Sequence, residues 1–256
     1  MAVDYPSFDL TGQVALVTGA SRGIGADLVR ALAHAGAVVA AAARQTDDLT
    51  DIVESVRADG GQADAIQLDV SDPASSRSAV DAVIAQHGRL DILVNNAGLG
   101  TNHDALDATE AEWDELMAVN VRGLFFLCQA AGRHMVARGH GRIIMLSSQA
   151  GSVGLPRHAA YCASKGAVDQ LTRVLALEWG PSGVTVNAVA PTFIRTPGTA
   201  ERLDDPAFLA EVLSRIPAGR VGTTTDVAGA VVYLASPAAG LVNGAILAVD
   251  GGWIAQ

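Results

Sequence analysis

The chain has 256 residues, a length that fits one large α/β domain or two small ones. Half of its residues are apolar, 4% are aromatic and glycine is abundant, which is typical of a large buried core with close backbone packing. The formal net charge of −10 argues against a nucleic-acid partner, because phosphate backbones attract basic surfaces. A small anionic ligand at a local basic site is not excluded.

Targeting and redox features are weak in this sequence. No apolar run approaches the roughly 20 residues that a membrane-spanning helix needs, so we expect no membrane partner. The first ten residues carry an acid and lack the basic start of a secretion signal. Cys128 and Cys162 form no metal-binding spacing and are expected to be reduced, buried thiols. The six histidines form no metal motif, so we expect no catalytic metal. Without a secretion signal or a membrane span in the sequence, we expect a cytoplasmic protein.

Short apolar segments alternate with helical patterns along the chain. The first segment, QVALVTG at 13–19, is continuous and ends in glycine, as expected of a strand that is covered on both faces. Further predicted strands lie at 37–43, 63–70, 90–98, 141–148, 184–191 and 245–252. Helical patterns lie at 25–36, 46–60, 75–88, 109–137, 159–179 and 224–236.

This alternation predicts a doubly wound, Rossmann-type parallel sheet of about seven strands with helices on both faces. The sequence has no low-complexity linker and no shift in composition, so we expect one domain over 1–256. One long segment, 192–216, lacks clear periodicity and contains Pro197, Gly198 and Pro206. We expect it to form a substrate lid, since long loops are more often functional than accidental.

A glycine-rich turn, TGASRGIG at 18–25, follows the first predicted strand and opens the first helix. Its glycines permit a tight turn and a close approach of a ligand, and the helix start offers unpaired amides to a diphosphate. The spacing is GxxxGxG rather than the commoner GxGxxG, and glycines alone are weak evidence. Their place in an alternating α/β chain predicts a dinucleotide site formed by Gly19, Ser21, Arg22, Gly23, Ile24 and Gly25.

The end of the second predicted strand bears on which dinucleotide binds. An acid there binds the adenosine ribose of NAD, whereas a nearby basic residue accommodates the extra phosphate of NADP. Here Ala43 occupies the place of the acid, Arg44 follows it, and Arg22 lies in the glycine turn. Two guanidinium groups can clamp a phosphate, so we predict NADP(H), with NAD(H) as the alternative. The alternative for the arginines is that both are solvated surface residues.

An ordered set of motifs resembles the short-chain dehydrogenase/reductase family in its single-domain form of roughly 250 residues. TGASRGIG is followed by NNAG at 95–98, SS at 147–148, YCASK at 161–165 and VDGG at 249–252. Each motif is modest alone, but the ordered set is specific and extends from about Gly12 to Gly252. The resemblance implies an oxidoreductase that interconverts a ketone and a secondary alcohol by hydride transfer.

The resemblance assigns four catalytic residues. Tyr161 and Lys165 match the family's YxxxK pair, Ser148 its active-site serine and Asn120 its active-site asparagine. Ser148 is expected to hold the substrate oxygen, and Asn120 a water that links Lys165 to solvent. Lys165 is also expected to hydrogen-bond the nicotinamide ribose.

The tyrosine and the lysine have a physical reason to be one helical turn apart. Residues i and i+4 share a helix face, so the positive charge of Lys165 is expected to lower the pKa of Tyr161 toward the working pH. Tyr161 would then act as general acid in reduction and as general base in oxidation. By itself, the pair could be a chance neighbour on a surface helix; the other motifs argue against that alternative.

Further cofactor residues follow from the resemblance. Asp69 looks like the residue that holds the adenine amino group, and Thr196 like the threonine that bonds the carboxamide. Pro191 matches the family's PG motif, but Thr192 replaces the glycine, which leaves the local backbone in doubt. The remaining predicted cofactor contacts are Val70, Asn96, Ala97, Gly98 and Ile194.

The sequence says less about the substrate. The candidates beside Ser148 and Tyr161 are Leu99, Gln149, Leu155, His158, Thr192 and Arg195, although a histidine in such a place is often structural. Family relatives suggest a small polar ketone, sugar or polyol, with a 3-oxoacyl thioester as the alternative. A dinucleotide-sensing protein without chemistry is a further alternative, and the family habit predicts a homotetramer.

Overall fold

A computed structural model describes residues 5–255 of the chain. Within that range seven parallel strands form one sheet in the order β3-β2-β1-β4-β5-β6-β7, which confirms the predicted fold class. The strands are β1 Val14–Thr18, β2 Val38–Ala43, β3 Gln62–Gln67, β4 Ile92–Asn95, β5 Gly141–Leu146, β6 Val184–Pro191 and β7 Ile246–Val249.

Helices cover both faces of the sheet. In the described range the α-helices are α1 Gly23–His34, α2 Thr50–Ala58, α3 Pro73–His87, α4 Glu110–Met117, α5 Leu124–Arg138, α6 Ala159–Trp179, α7 Ala200–Leu203, α8 Pro206–Ser214 and α9 Thr224–Ala235. Helices α1, α2 and α9 contribute to the core on one face, and α3, α5 and α6 to the core on the other.

Strand β1 shows why these sequences form buried strands. All five of its residues are buried, and they alternate between the two cores, with Ala15 and Val17 on one side and Val14 and Leu16 on the other. A strand that is covered on both faces needs apolar residues throughout, which explains its continuous hydrophobicity. Full burial of one such aliphatic side chain stabilises the fold by about 1.5–3 kcal/mol.

The strand order reverses between β1 and β4, so a crevice forms at their carboxyl ends. The hydroxyl of Thr18, which ends β1, accepts hydrogen bonds from the backbone amides of Asn96 (3.0 Å) and Ala97 (2.9 Å). The side-chain amide of Asn96 donates back to the Thr18 carbonyl at 2.9 Å. The NNAG motif therefore ties the glycine turn to the loop after β4 and holds the crevice in shape.

The long helix predicted over 109–137 contains an interruption. A π-helical segment, Ala118–Gly123, separates α4 from α5 and carries Asn120. At Gly123 a side chain would meet the Val70 carbonyl oxygen at 2.1 Å, so this segment lies directly against the loop after β3. π-helical turns occur frequently at functional sites, but they leave the composition of the helix unchanged, and hydrophobic periodicity does not reveal them.

The segment 192–216, predicted to be irregular, contains the short helices α7 and α8. Pro206 begins α8, and the Asp205 carboxylate caps that helix by accepting from the Ala207 amide at 2.9 Å. Proline suits the first position of a helix, so its presence did not exclude one. Val212 and Ile216 form a small third core with Trp253 near the chain's end.

The lengths and compositions of the helices also bear on membranes. Between residues 5 and 255, no helix combines the length and the apolar character required to traverse a bilayer.

Candidate active site

A cavity of about 500 Å³ lies at the carboxyl ends of β4, β5 and β6. The loop after β4, the end of β5, the start of α6 and the segment after β6 form its walls. The predicted site residues that line it are Ile24, Asn96, Gly98, Leu99, Ser148, Gln149, Leu155, His158, Tyr161, Lys165, Pro191, Thr192, Ile194 and Thr196.

Tyr161 and Lys165 lie one turn apart on α6 and both face this cavity. The Lys165 ammonium lies 5.6 Å from the centroid of the tyrosine ring and donates a hydrogen bond to the Leu146 carbonyl at 2.6 Å. Burial lowers the pKa of Lys165 to about 8, against the opposing charge of Asp169. The ammonium is therefore buried at the end of β5 with one backbone acceptor and one nearby carboxylate.

The predicted lowering of the tyrosine pKa is wrong for the protein alone. Burial raises the pKa of Tyr161, and hydrogen bonding with Ser148 opposes this rise. The ammonium of Lys165 points to the Leu146 carbonyl at the end of β5 rather than making a direct bond to the phenol. Desolvation of the phenolate outweighs the Ser148 hydrogen bond, a balance that residue spacing cannot reveal.

Ser148 caps the short helical turn that follows β5. Its hydroxyl accepts from the Ala150 amide at 3.2 Å and donates to the Gln149 side-chain carbonyl at 2.9 Å. Both Ser148 and Gln149 are buried. The cap fixes the serine at the cavity wall, where its hydroxyl faces the same space as Tyr161.

Asn120 lies behind the cavity rather than on its wall. Its amide donates to the Leu99 carbonyl (2.8 Å) and to the Ser164 hydroxyl (3.1 Å), and its oxygen accepts from the Leu99 amide at 2.8 Å. A side chain at Gly98 would lie 3.3 Å from the Asn120 oxygen and 3.8 Å from the Lys165 nitrogen. Asn120 thus holds the loop after β4 against α6, and its predicted role with water stays a prediction.

Besides the hydrogen bond from Lys165 to Leu146, a second hydrogen bond joins α6 to the end of β5, and the sequence did not predict it. The Ser147 hydroxyl donates to the Asp169 carboxylate at 2.5 Å, one residue after the carbonyl that Lys165 holds. Burial raises the pKa of Asp169, partly offset by the Ser147 hydrogen bond. A side chain at Gly151 would lie 2.6 Å from the second carboxylate oxygen, so glycine there permits this close approach.

Lys165 and Asp169 therefore form two adjacent attachments between α6 and the end of β5. Their i and i+4 spacing matches the consecutive residues Leu146 and Ser147. The available sequence signal was the i,i+4 spacing of two charged residues on one helix face. We call this pair of attachments the α6 clamp; it aligns Tyr161 with Ser148 across the cavity.

The glycine turn has the geometry that a diphosphate requires. Gly19 and Gly23 have φ values of 61° and 57°, in the left-handed region that favours glycine. A side chain at Gly25 would lie 2.1 Å from the Gly19 carbonyl oxygen, so only glycine fits. Arg22, at the N-cap of α1, makes no side-chain bond to the helix amides, and the first turn carries no acid. The backbone amides at the start of α1 are therefore available to bind an anion.

The adenosine side of the crevice carries the predicted basic residues. Ala43 is buried at the end of β2, while Arg44 and Arg22 are exposed. Neither arginine takes part in an ion pair among residues 5–255. A hydrogen bond from the Ser71 hydroxyl lowers the pKa of Asp69, and the charge of Arg44 adds to this.

Thr192 supplies an independent indication of a ligand. Its hydroxyl is buried on the cavity wall and has no hydrogen-bond partner among the residues described. A buried polar group without a partner is costly, so such a hydroxyl is typically satisfied by a ligand or water. Thr196 lies close to the glycine turn, since a side chain at Gly23 would approach the Thr196 Cβ to 3.4 Å. These residues fit a nicotinamide dinucleotide that runs from the glycine turn into the cavity.

Some predicted residues lie outside the cavity. Arg195, a substrate candidate, forms an exposed ion pair with Asp204 at 2.7 Å and does not line it. Arg202, which the sequence did not single out, does line it. The other predicted residues outside its walls are Gly19, Ser21, Arg22, Gly23, Gly25, Arg44, Asp69, Val70, Ala97 and Asn120. Across the described chain, no group of three acid, histidine or cysteine side chains is arranged to hold a metal.

The fold and the site define a Rossmann-type, dinucleotide-binding protein with a tyrosine and a lysine at the sheet's switch point. Residues 19–254 match the family model described as enoyl-(acyl carrier protein) reductase. The chain belongs to the short-chain dehydrogenase/reductase family, as its motifs indicated.

Relatives in this family extend over nearly the whole chain. It is 42% identical to D-threitol dehydrogenase of Mycolicibacterium smegmatis, over 99% of this chain and 96% of that protein. It is 44% identical to galactitol 2-dehydrogenase (L-tagatose-forming) of Cereibacter sphaeroides, over 98% of this chain and 99% of that one. A gluconate 5-dehydrogenase structure from Burkholderia cenocepacia, in complex with NADP and tartrate, superposes with a TM-score of 0.94 at 40% identity, covering 97% and 98% of the two chains.

Proposed function

We propose that the protein is an NADP(H)-dependent oxidoreductase that interconverts a ketone and a secondary alcohol on a small sugar or polyol. The observation that carries this proposal is the single cavity wall shared by Ser148, Tyr161 and Lys165, next to Ile24 of the glycine turn. The relatives that act on threitol, galactitol and gluconate support the same reaction class and substrate class.

The chemistry follows from the placement of three side chains. NADPH, when bound, supplies a hydride to the carbonyl carbon. Tyr161 donates its phenolic proton to the carbonyl oxygen during reduction and accepts a proton from the alcohol during oxidation. Ser148 donates a hydrogen bond to the same oxygen and stabilises the negative charge that develops there.

Burial raises the pKa of Tyr161, and the charge of Lys165 counteracts this effect when the tyrosine transfers its proton. The Lys165 ammonium, 5.6 Å from the ring centroid, stabilises the phenolate that forms when the tyrosine gives up its proton. By family resemblance it also bonds the nicotinamide ribose, and Asn120 holds a water that carries protons to it. A non-catalytic dinucleotide sensor would have no use for this set of side chains.

Preference for NADP(H) rests on Arg22 and Arg44. Both arginines are exposed; Arg44 directly follows β2, and Ala43 places no carboxylate at the end of that strand to repel a phosphate. The NADP complex of the gluconate 5-dehydrogenase supports this assignment. Thr192 and Thr196 would bond the carboxamide end of the same cofactor; the unpartnered Thr192 hydroxyl and the position of both residues on the cavity wall support this role.

The cavity suits a hydroxylated substrate. Gln149 and His158 offer polar groups near Tyr161, and the His158 ring stands edge-on to the tyrosine with centroids 6.3 Å apart. The His158 Nδ1 lies 2.7 Å from the Pro156 carbonyl, to which it donates. Burial lowers the pKa of His158, so its neutral ring leaves Nε2 as an acceptor for a substrate hydroxyl.

An acyl thioester remains the second candidate, because the matching family model is described as an acyl carrier protein reductase. The discriminating experiment follows NADPH absorbance with galactitol, D-threitol, D-gluconate and acetoacetyl-CoA. We expect turnover of at least one sugar or polyol. Turnover of the thioester alone would replace the substrate assignment, and cofactor binding without turnover of any compound would favour the sensor.

The assembly, the domain organisation and the location are predictions, and exposed apolar side chains support the assembly. We infer a single domain over 1–256 in which 192–216 closes over the substrate, and a homotetramer in the cytoplasm. Large apolar side chains are exposed on α4, on α6 and on the short turn before α4, as an interface would require. They are Leu106, Trp113, Val174 and Leu177. Gel filtration with light scattering tests the tetramer, and a monomer at micromolar concentration would refute it.

A further inference from the structure

A second cavity of about 550 Å³ adjoins the first on the side of α7 and α8. The two cavities share wall residues, so a ligand in one can extend into the other. The shared residues are Asn102, Leu155, His158, Phe193 and Arg202. Arg202 is the cationic member of this shared wall.

Arg202 is held in place without a protein anion. It is half-buried on α7, and its guanidinium carbon lies 4.4 Å from the centroid of the Phe208 ring. No ion pair or hydrogen bond of its side chain is present within residues 5–255. Burial lowers the pKa of Arg202, because a desolvated cation lacks compensation.

Two neighbouring acids are engaged elsewhere, and within residues 5–255 Glu201 and Glu211, which are exposed on the outer cavity, form no ion pair with Arg202. Asp204 pairs with Arg195 at 2.7 Å, and Asp205 caps α8 through the Ala207 amide. The guanidinium of Arg202 thus keeps its hydrogen-bond donors for a ligand in the shared wall. Arginine donors match a carboxylate in a fork of two parallel bonds.

A second cation, Arg157, faces the same space. Its φ of 65° lies in the left-handed region that favours glycine, and the His103 amide holds this conformation by donating to the Arg157 carbonyl at 3.0 Å. Its charge acts on both Arg202 and His158 and disfavours their protonated forms. Strained backbone often marks a ligand site, and two nearby cations favour an anion between them.

We infer that Arg202, assisted by Arg157, binds the carboxylate of a sugar-acid substrate whose reacting carbon lies beside Tyr161. This inference rests on the proposed function and specifies its substrate class. The arrangement selects a hydroxy acid over a neutral polyol. A phosphate ester fits less well, since the exposed carboxylates of Glu201 and Glu211 on the outer cavity repel a dianion.

The test compares an acid with a neutral substrate in matched variants. In Arg202→Met the stem still covers Phe208 while the charge and the donors are lost. We expect kcat/KM for D-gluconate to fall about 10- to 100-fold, mainly through KM, and kcat/KM for galactitol to fall by a much smaller factor. Arg202→Lys restores part of the loss. Arg77→Met, an exposed change on α3 with the same loss of charge, leaves both substrates unaffected.

The outcomes separate this inference from the proposed function. Equal losses on both substrates, or an unchanged KM for gluconate, would overturn the inference. A wild-type enzyme that oxidises polyols but neither oxidises nor binds gluconate would do the same and leave the proposed function standing. If none of galactitol, D-threitol and D-gluconate reacts, the proposed function fails, and calorimetric titration of gluconate into the NADP complex decides whether Arg202 binds a carboxylate. Tighter binding of a polyol phosphate than of gluconate would contradict the carboxylate assignment.

Discussion

Replacing Asp169 tests whether the α6 clamp acts on the reaction or only on the fold. The Asp169 carboxylate accepts from the Ser147 hydroxyl at 2.5 Å, and its charge raises the pKa of Lys165 against burial. Arg173 is the other cation that acts on this carboxylate. Asp169→Asn keeps an acceptor for Ser147 and removes the charge, whereas Asp169→Ala removes both.

The two variants are expected to differ in stability. A buried hydrogen bond to a charged group is worth about 1.5–3 kcal/mol, and leaving the Ser147 hydroxyl unpaired adds to the loss. We therefore expect Asp169→Ala to lower the free energy of unfolding by about 2–4 kcal/mol in urea titrations. Asp169→Asn retains one hydrogen bond and should lose less than half of that.

The pH profile separates a positioning role from a structural one. Loss of a nearby negative charge disfavours the ammonium form, so the pKa of Lys165 falls below its present value of about 8. The alkaline limb of kcat/KM then moves to lower pH by about one unit in Asp169→Asn. An alkaline limb that coincides with that of the wild type, in a variant of near-normal stability, would refute the effect through Lys165 and leave Asp169 a purely structural residue.

Further variants test the remaining assignments. Tyr161→Phe should retain NADPH binding, measured by fluorescence, and lose about 10²–10⁴-fold in kcat; activity near the wild-type level would exclude the proton-transfer role. Arg44→Ala should raise KM for NADPH about tenfold and leave KM for NADH unchanged, whereas an equal change for both would place Arg44 away from the phosphate. Thr192→Val keeps the side-chain volume and removes the unpaired hydroxyl, so the free protein should keep its stability while NADP binds several-fold more weakly. The pKa of Lys165 is about 8 in the folded protein and near 10.4 in the unfolded chain, so the unfolded chain binds more protons between these two pH values. The free energy of unfolding should therefore rise with pH over that range, and in Lys165→Met this rise should disappear.

The sheet was predictable because its signal is repeated along the chain. Seven apolar segments alternate with helical patterns, and a chain of that kind has few ways to bury both faces of its strands. β1 illustrates this, since five consecutive apolar or small residues are covered on both sides. The positions of Tyr161 and Lys165 followed as well, because a fixed helical period places them on one face.

Other features depend on contacts that the sequence does not encode locally. The π-helical segment at Ala118–Gly123 arises from the fit against the loop after β3 and leaves no periodic signal. Helix α7 has only four residues, too few to show a period. The sign of the pKa shift at Tyr161 depends on burial, and burial is a property of the finished fold.

The arginines of the 192–216 segment show the same dependence on tertiary structure. Arg195 and Arg202 are equally plausible anion binders by composition, but Arg195 pairs with Asp204 and Arg202 does not. Which cation stays available is decided by how the segment folds, and no spacing rule reports that. Arg202 lines the cavity, whereas Arg195, the arginine that the sequence indicated, does not.

These contrasts divide the site into a fixed part and an adjustable part. Ser148, Tyr161 and Lys165 belong to the sheet edge and to α6, where the α6 clamp and two apolar cores hold them. Arg202 lies on a four-residue helix whose buried residue, Leu203, belongs to neither of the two large cores. A change in the adjustable part alters few buried contacts, so its stability cost is low. Substrate choice can therefore vary through α7 while the proton transfer at Tyr161 stays the same. For that reason the Arg202 variants are expected to raise KM for an acid far more than they change the turnover of a neutral polyol.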